Sequence, residues 1–237
     1  MPYKAGGKAL MARFALSGAY AYQGVDDMRL VCISDTHSLH KKMMPLPVGD
    51  VLIHAGDCTS SGSLVQFEDF TSWFGLQSHR HKLLIAGHHD RCCEKHPEWS
   101  RAACEKNGIT YLRGETAMIE GLKFYGFPWQ PVFRWMSFNA SEGERWGRLK
   151  LVPEDTNVLI THGPAFGIFD WIPDIARHVG CYPLAKTIDR LPRLKAHICG
   201  HIHEGYGFME RDGIIFANAS TCTERYRPTN PPIIIDL

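Results

Sequence analysis

The sequence predicts an α/β domain in which β-sheets stack face to face and helices cover their outer faces. Two observations favour this fold class. Short β-branched runs outnumber the segments with helical spacing, and Gly, Pro or Asn bounds most of these runs. The chain of 237 residues, 44% of them hydrophobic and 22% charged, is also long enough for the core of one domain. We therefore expect a single domain built mainly from strands.

The first strand candidate starts at Met28. Residues 1–27 are rich in Ala, Gly and Tyr without a sustained period, so we predict an N-terminal extension at 1–27 and one folded domain at 28–237. Strands are predicted at 28–33, 51–55, 82–86, 111–118, 122–127, 158–161, 197–199, 214–217 and 233–235.

Two helices are predicted between these strands. Ser63 and Gln66 have a spacing that resembles a capping box, and apolar residues then recur at helical spacing as far as Phe74. A second helix is expected at 97–107. The stretch between Phe127 and Arg148 is rich in aromatic residues but has no clear period, so it is either a loop over a site or a packed excursion.

Composition limits the partners of this chain. The formal net charge of +1 provides no basic surface excess for a nucleic-acid polymer. The eight cysteines lack the short, even spacing of a disulfide framework, which indicates a reducing, cytoplasmic environment. No apolar run approaches the roughly 20 residues of a membrane span, so no membrane partner is expected. A small molecule is the expected ligand.

Asp or His follows five of the predicted strands, each time beside Gly or another small residue. The five clusters lie at 34–37, 56–57, 87–90, 161–163 and 200–203. Because ligands collect where strand ends release the chain into loops, we expect the five clusters to converge on one site.

The spacing within the clusters indicates a metal site. In extended chain, Asp35 and His37 point to the same side, as do His201 and His203. Each pair can therefore address one cation, and Asp57 is the natural bridge because a carboxylate carries two oxygens. A mixed oxygen and imidazole set suits Mn, Fe, Zn or Co better than Ca. Two divalent ions are therefore predicted.

In this order the clusters resemble the motifs of the calcineurin-like metallophosphoesterase superfamily, which run Asp-x-His, Gly-Asp, Gly-Asn-His-Asp or Glu, a lone His, and Gly-His-x-His. The resemblance covers about residues 28–237. The segments at 127–131, 218–222 and 228–232 are similar to the branch of metallophosphoesterase domain-containing proteins. The resemblance implies an αββα sandwich of two mixed β-sheets flanked by helices.

The resemblance also implies roles for individual residues. One metal ion would be held by Asp35, His37 and His203, a second by His88, His162 and His201, and Asp57 would bridge the two. His89 matches the family's catalytic His, which contacts the phosphate and protonates the leaving group.

His88 departs from the family pattern, which has Asn at this position. An imidazole nitrogen is a competent ligand, but it is bulkier and softer than an amide oxygen. Three outcomes are open: His88 ligates in place of Asn, the site loses affinity and activity, or the His selects an unusual metal.

The implied function is a dinuclear phosphoesterase, foremost a phosphodiesterase that attacks cyclic nucleotides or small phosphodiesters with a metal-bound hydroxide. A phosphomonoesterase is an alternative, and so is a weakly active or inactive metal-binding scaffold. Trp129 either stacks a nucleobase or packs in the core, and Arg134 either contacts phosphate or lies in solvent. Assembly into a homo-oligomer is also open.

Overall fold

The computed structural model describes residues 28–237 and the backbone of one earlier strand, Met11–Phe14. Apart from that strand, the predicted extension at 1–27 lies outside the described residues. The strands are β1 (Met11–Phe14), β2 (Arg29–Ile33), β3 (Val51–His54), β4 (His81–Leu84), β5 (Thr110–Tyr111), β6 (Glu115–Ile119), β7 (Leu122–Phe127), β8 (Val158–Thr161), β9 (Trp171–Ile172), β10 (Arg177–His178), β11 (Ala196–Cys199), β12 (Gly207–Arg211), β13 (Ile214–Asn218) and β14 (Ile233–Asp236).

Helices are fewer than strands in the described part of the chain. The α-helices are α1 (Leu64–Gly75), α2 (Arg91–Lys95), α3 (Pro97–Lys106), α4 (Glu142–Leu149) and α5 (Tyr182–Ile188), and short 3-10 helices occur at His40–Lys42, Pro173–Ile175 and His203–Gly205. Among the residues that the structure describes, no helix has the length and apolar character that crossing a membrane requires.

The strands form two large sheets and a small hairpin. The first sheet has the order β1-β14-β2-β3-β4-β5 and the second has the order β12-β13-β11-β8-β7-β6, whereas β9 pairs with β10. Strands β2 to β5 are parallel, as are β7, β8, β11 and β13, and the remaining pairs are antiparallel. Both sheets are therefore mixed.

Side chains along the strands of both sheets point alternately to the core between the two sheets and to the outer face that the helices cover. In β2, Leu30 and Cys32 join the core cluster between the two sheets, together with Ile160 and Ile198 from the second sheet. The intervening Val31 faces the other way and packs with the aromatic side chains of α1. Because successive side chains point to opposite faces, each sheet buries both of its surfaces.

Helices cover the two outer faces. Phe67, Phe70 and Phe74 of α1 pack on the first sheet together with Cys104 of α3. Leu149 of α4 and Leu184 of α5 belong to the cluster on the outer face of the second sheet. The order of layers is helix, sheet, sheet, helix, which confirms the predicted αββα sandwich.

One predicted strand is wrong. The run 111–118 is divided between β5, at the edge of the first sheet, and β6, at the edge of the second. Gly114, with φ of 74°, lies between them in the left-handed region that Gly adopts without strain. The chain therefore passes from one sheet to the other where the sequence suggested a continuous strand.

Candidate metal centre

The five predicted clusters meet at one edge of the sandwich. They follow β2, β3 and β4 of the first sheet and β8 and β11 of the second. The Asp35 amide donates to the carbonyl of Gly56 at 2.9 Å, and the Gly200 amide donates to that of His162 at 2.9 Å. The His201 amide donates to Asp35 Oδ2 at 3.0 Å, which joins the loops of the two sheets.

Two of the buried carboxylates, those of Asp35 and Asp57, each use one oxygen for hydrogen bonds to the protein and turn the other toward the imidazoles of the site. Asp35 Oδ2 also accepts from Ser220 Oγ at 2.9 Å, whereas Asp57 Oδ1 accepts from the His89 amide at 2.7 Å. The other oxygens, Asp35 Oδ1 and Asp57 Oδ2, are buried, accept no hydrogen bond from the backbone or a hydroxyl, and face imidazole nitrogens at 3.0 Å or more. Buried carboxylate oxygens usually accept hydrogen bonds from N–H or O–H groups, and oxygens that face only imidazole nitrogens instead form part of a donor set suited to a divalent cation.

The first group of side chains surrounds Asp35 Oδ1. His203 Nε2 lies 3.5 Å from this oxygen, His37 Nε2 lies 4.0 Å from it, and the two nitrogens are 3.3 Å apart. The ligand atoms of Asp35, His37 and His203 all lie within 4.8 Å of one another. This is the set predicted for the first ion.

The second group surrounds Asp57 Oδ2. His88 Nδ1 lies 3.0 Å and His162 Nε2 3.4 Å from this oxygen. His88 Nδ1 is also 2.9 Å from His162 Nε2 and 3.2 Å from His201 Nδ1. Asp57 Oδ2 is 3.9 Å from His37 Nε2 of the first group. The predicted bridge therefore lies between the two groups.

Hydrogen bonds behind the site fix the orientation of two imidazoles. His162 Nδ1–H donates to the carbonyl of Ala55 at 3.0 Å, and His203 Nδ1–H donates to that of Thr223 at 2.9 Å. In the neutral rings, Nε2 is then unprotonated and faces the site. Carbonyl acceptors of this kind are typical of metal-binding histidines.

The charges in the site are strongly coupled. Burial alone would raise the pKa of Asp57, but His162 and His88 beside it hold this pKa well below its usual range. Burial alone would lower the pKa of His162, but the charge and hydrogen bond of Asp57, the charge of Asp35 and the carbonyl of Ala55 together raise it to about 9.

Burial lowers the pKa of His37 to about 4. Burial alone would also lower the pKa of His203, but its hydrogen bond with Asp35 and the charge of Asp35 raise it to about 8. Asp57 and His37 are therefore in the forms that bind cations, whereas a cation bound by His162 or His203 would have to displace a proton near neutral pH.

The backbone of the site is conformationally unusual. Asp35, Asp57 and His201 have φ of 51°, 57° and 69°, in the left-handed region that residues with a Cβ rarely adopt. At Gly200, an added Cβ would overlap Asp35 Oδ2 and Ser34 Oγ. Such strain persists only where the surrounding structure enforces it, and it is concentrated at functional sites.

His89 lies at the border of both groups. Its ring centroid is 4.7 Å from that of His37 and 4.5 Å from that of His88. The Nδ1–H donates to the carbonyl of Ser60 at 2.7 Å, which leaves Nε2 for a substrate. Its neighbour Asp90 is buried and accepts from the amides of Gly87 at 2.8 Å and Thr59 at 2.9 Å, so it supports the loop.

Besides His89, the predicted substrate contacts are Trp129 and Arg134, and both contact aromatic side chains. The ring of Trp129 packs at 5.4 Å from that of Phe127, and the guanidinium of Arg148 covers it at 4.2 Å. These contacts favour the core-packing interpretation. Arg134 lies over the ring of Phe133, with its guanidinium carbon 5.1 Å from the centroid.

Two aromatic residues without a predicted role lie against the site. The ring of Phe133 is 5.7 Å from that of His88 and 5.8 Å from that of His201. The ring of Tyr226 is 4.9 Å from that of His37. Phe133 belongs to the aromatic stretch between Phe127 and Arg148. Its contacts with the histidines favour the interpretation of this part of the stretch as a loop over a site.

Comparison with known proteins identifies the family. The family model of calcineurin-like phosphoesterases matches residues 28–205. The chain belongs to this family. It is 38% identical, over 88% of its length and 71% of theirs, to metallophosphoesterase domain-containing protein 1 from Homo sapiens and from Mus musculus. A UPF0046 protein from Caenorhabditis elegans is 33% identical over 89% of this chain and 81% of its own. Both the predicted superfamily and the predicted branch are confirmed.

Solved structures share the fold of this calcineurin-like phosphoesterase. One crystal structure superposes with a TM-score of 0.65 at 16% identity and covers 81% of this chain and 90% of its own. A Thermus thermophilus protein gives a TM-score of 0.56 at 8% identity, with 81% and 88% covered. Family membership and the clustered Asp and His side chains together support a metal-dependent phosphoesterase.

Proposed function

We propose that this phosphoesterase is a phosphodiesterase that acts on cyclic nucleotides or small phosphodiesters with two divalent ions of Mn, Fe, Zn or Co. The observation that carries the proposal is a pair of buried carboxylate oxygens, Asp35 Oδ1 and Asp57 Oδ2, that accept no hydrogen bond from the backbone or a hydroxyl. Imidazole nitrogens face both of them, and this mixed donor set fits divalent transition metals.

The proposed ligands are those predicted from the motifs. Asp35, His37 and His203 would hold one ion, His88, His162 and His201 would hold the other, and Asp57 would contact both. Ions bound there supply positive charge beside the phosphoryl oxygens and a nucleophile at neutral pH. A cytoplasmic location and a homo-oligomer stay predictions.

His89 is the proposed proton donor to the leaving group. Its Nδ1–H is held by the carbonyl of Ser60, so the proton would leave from Nε2. Histidine is the side chain that most often serves as a general acid in enzymes. The same ring lies beside His37 and His88 and can also contact the phosphate.

Of the three outcomes for His88, its contacts favour ligation in place of Asn. Its Nδ1 is the atom nearest to Asp57 Oδ2 among the contacting imidazole nitrogens, and it also lies beside the ligand atoms of His162 and His201. The second candidate function, an inactive metal-binding scaffold, rests on this same substitution. Activity of the unaltered protein separates the two.

The test measures hydrolysis of bis(p-nitrophenyl) phosphate by metal-stripped protein refilled with Mn, Zn or Fe, with metal content determined in parallel. The unaltered protein is compared with His88→Asn and with Asp57→Asn. We expect turnover in the unaltered protein and its loss, together with bound metal, in Asp57→Asn. Faster turnover of p-nitrophenyl phosphate than of the diester would instead indicate a phosphomonoesterase.

Each remaining outcome has a distinct meaning. No turnover in the unaltered protein but recovery in His88→Asn would show that position 88 silences an intact phosphodiesterase site. No turnover in either protein, with metal bound, would support the scaffold.

A further inference from the structure

A cavity of about 390 Å³ opens directly above the two groups of metal-binding side chains. Its floor includes four of the proposed ligands, which are His37, His88, His201 and His203. Cavities of this size accept small organic ligands. A phosphate bound at the ions would therefore extend a substituent into this cavity.

The walls of the cavity are mainly apolar. Val132 and Phe133 form one side, and Ile172, Ile175 and Val179 form another. Phe133 lies against the rings of His88 and His201, whereas Tyr226 lies against those of His37 and His203. Each group of ligands thus has an aromatic ring beside it, and both rings border the same space.

The charged residues that line the cavity are acidic apart from the histidines. Glu204 and Glu224 contribute carboxylates, and none of the described lining residues is Lys or Arg. Glu224 is paired with Arg225 at 3.6 Å. The guanidinium of Arg134 lies over the ring of Phe133 without lining the cavity. Glu204 is therefore the carboxylate that would repel a second anionic group of the substrate. The cavity therefore favours an uncharged substituent.

The isoleucine wall is built by a fixed hairpin, β9–β10. Asp170 is buried and accepts from the amides of Gly167 at 3.0 Å and Gly180 at 2.9 Å, and its Oδ1 lies 2.6 Å from Nδ1 of His178. These contacts hold the base of the hairpin that carries Ile172 and Ile175. The apolar wall is a preformed part of the fold.

We infer that the substrate is a phosphodiester whose retained substituent is an uncharged apolar group, seated between Phe133, Tyr226 and the isoleucines of the hairpin. This inference rests on the proposed phosphodiesterase function and narrows its substrate class. The retained substituent is assigned to the cavity because His89, the proposed donor to the leaving group, is not among the residues that line it.

The test uses alkyl p-nitrophenyl phosphates that share one leaving group and differ in the alkyl chain: methyl, butyl, hexyl and 5-carboxypentyl. In each reaction, water forms a bond to phosphorus, the bond to p-nitrophenolate breaks, and the alkyl phosphate is retained. Burial of one methylene accounts for about 0.8 kcal/mol, or roughly fourfold. With partial burial, we expect kcat/KM to rise at least about tenfold from methyl to hexyl and to fall again for the carboxylate.

The assay is repeated with Val132→Ser/Ile175→Ser, since both side chains are more than half exposed and their replacement should not prevent folding. We expect the ratio of hexyl to methyl kcat/KM to fall to about one third or less. Leu151→Ser, an exposed position outside the cavity, is the matched control and should keep the ratio of the unaltered protein.

The outcomes separate this inference from the proposed function. Turnover of every diester at equal rates would contradict the inference that the retained substituent is apolar, but it would still support the phosphodiesterase function. A chain-length effect that persists in the double variant would overturn the assignment to this cavity. Absence of turnover on all diesters, also in His88→Asn, would overturn the phosphodiesterase function and the inference together.

Discussion

At the scale of single residues, His89 is the side chain whose role can be isolated most clearly. It contributes a ring beside both groups of ligands but is not itself among the proposed ligands. His89→Ala should reduce the rate on a diester with an alkoxide or phenolate leaving group about 10² to 10⁴-fold, the usual contribution of a general acid. The loss on p-nitrophenolate should be far smaller, because this group departs without a proton.

Rates of His89→Ala on the two kinds of diester, under the same metal loading, provide the measurement. His96→Ala is the control, because His96 is solvent-exposed and lies outside the site. Equal losses on the good and the poor leaving group would remove His89 from the role of proton donor.

The side chains brought together at the site are largely those predicted from the sequence. The sequence correctly predicted that the residues of Asp35-x-His37 and His201-x-His203 come together, but the geometric reason was wrong. The prediction assumed extended chain, whereas Asp35, His37 and His201 have φ between 44° and 69°. The positions of Phe133 and Tyr226 depend instead on the path of long loops. No local spacing predicts such a path, so their contacts with the histidines required the structure.

At the scale of elements, the loops that follow the strands pack so closely that a side chain in place of one of their glycines should destabilise the fold. A Cβ at Gly200 would overlap Asp35 Oδ2 and Ser34 Oγ, whereas one at Gly143, in α4, would meet no atom within 4 Å. Gly200→Ala should therefore lower the free energy of unfolding by about 2 kcal/mol or more. Gly143→Ala should raise it by up to about 1 kcal/mol, because Ala has the higher helix propensity.

Urea denaturation of the two variants and the unaltered protein, at equal metal loading, compares these free energies. The pair controls for the chemical change, since both replace Gly by Ala. If Gly200→Ala is as stable as the unaltered protein, the loops at this edge can move enough to accommodate the added Cβ, and the expectation is contradicted.

The elements differed in how well the sequence predicted them. Buried strands such as β7 and β8 were predicted with their observed bounds, because continuous apolar runs mark them. Helix α4 was missed, although Ser141 and Glu144 form a reciprocal capping box that the sequence contains. The irregular aromatic spacing around it hid this signal. The exposed edge strand β12 has no apolar alternation, and only pairing with β13 defines it.

At the scale of the whole molecule, buried neutral histidines make stability depend on pH. His197 lies in the strand β11, where its Nε2–H donates to Thr161 Oγ1 at 2.8 Å, and burial lowers its pKa to about 3. The unfolded chain, with an ordinary value near 6.5, then binds a proton that the folded protein does not. The stabilisation is complete above pH 6.5 and is lost progressively as the pH falls toward 3.

Replacement of His197 should make the free energy of unfolding depend less on pH. One such site contributes up to about 1.4 kcal/mol per pH unit, so His197→Gln should reduce the stability difference between pH 7 and pH 5 by about 1 to 2 kcal/mol. His96→Gln, at an exposed position, should leave this difference unchanged. Unfolding free energies at several pH values provide the measurement, and parallel curves for all three proteins would contradict the expectation.

The layout of the site also has a mechanical consequence. Asp35, Asp57 and His88 follow strands of the first sheet, whereas His162 and His201 follow strands of the second. Ions held by both sets would cross-link the two sheets at this edge. Because such ions would bind only while the two sheets are together, their binding would raise the free energy that separating the sheets requires. Amide hydrogen exchange in both sheets would then slow together when metal is present. The concentration of free metal would then determine how often the two sheets separate at this edge. Because proteases cleave the open form, it would also determine the lifetime of the protein in their presence.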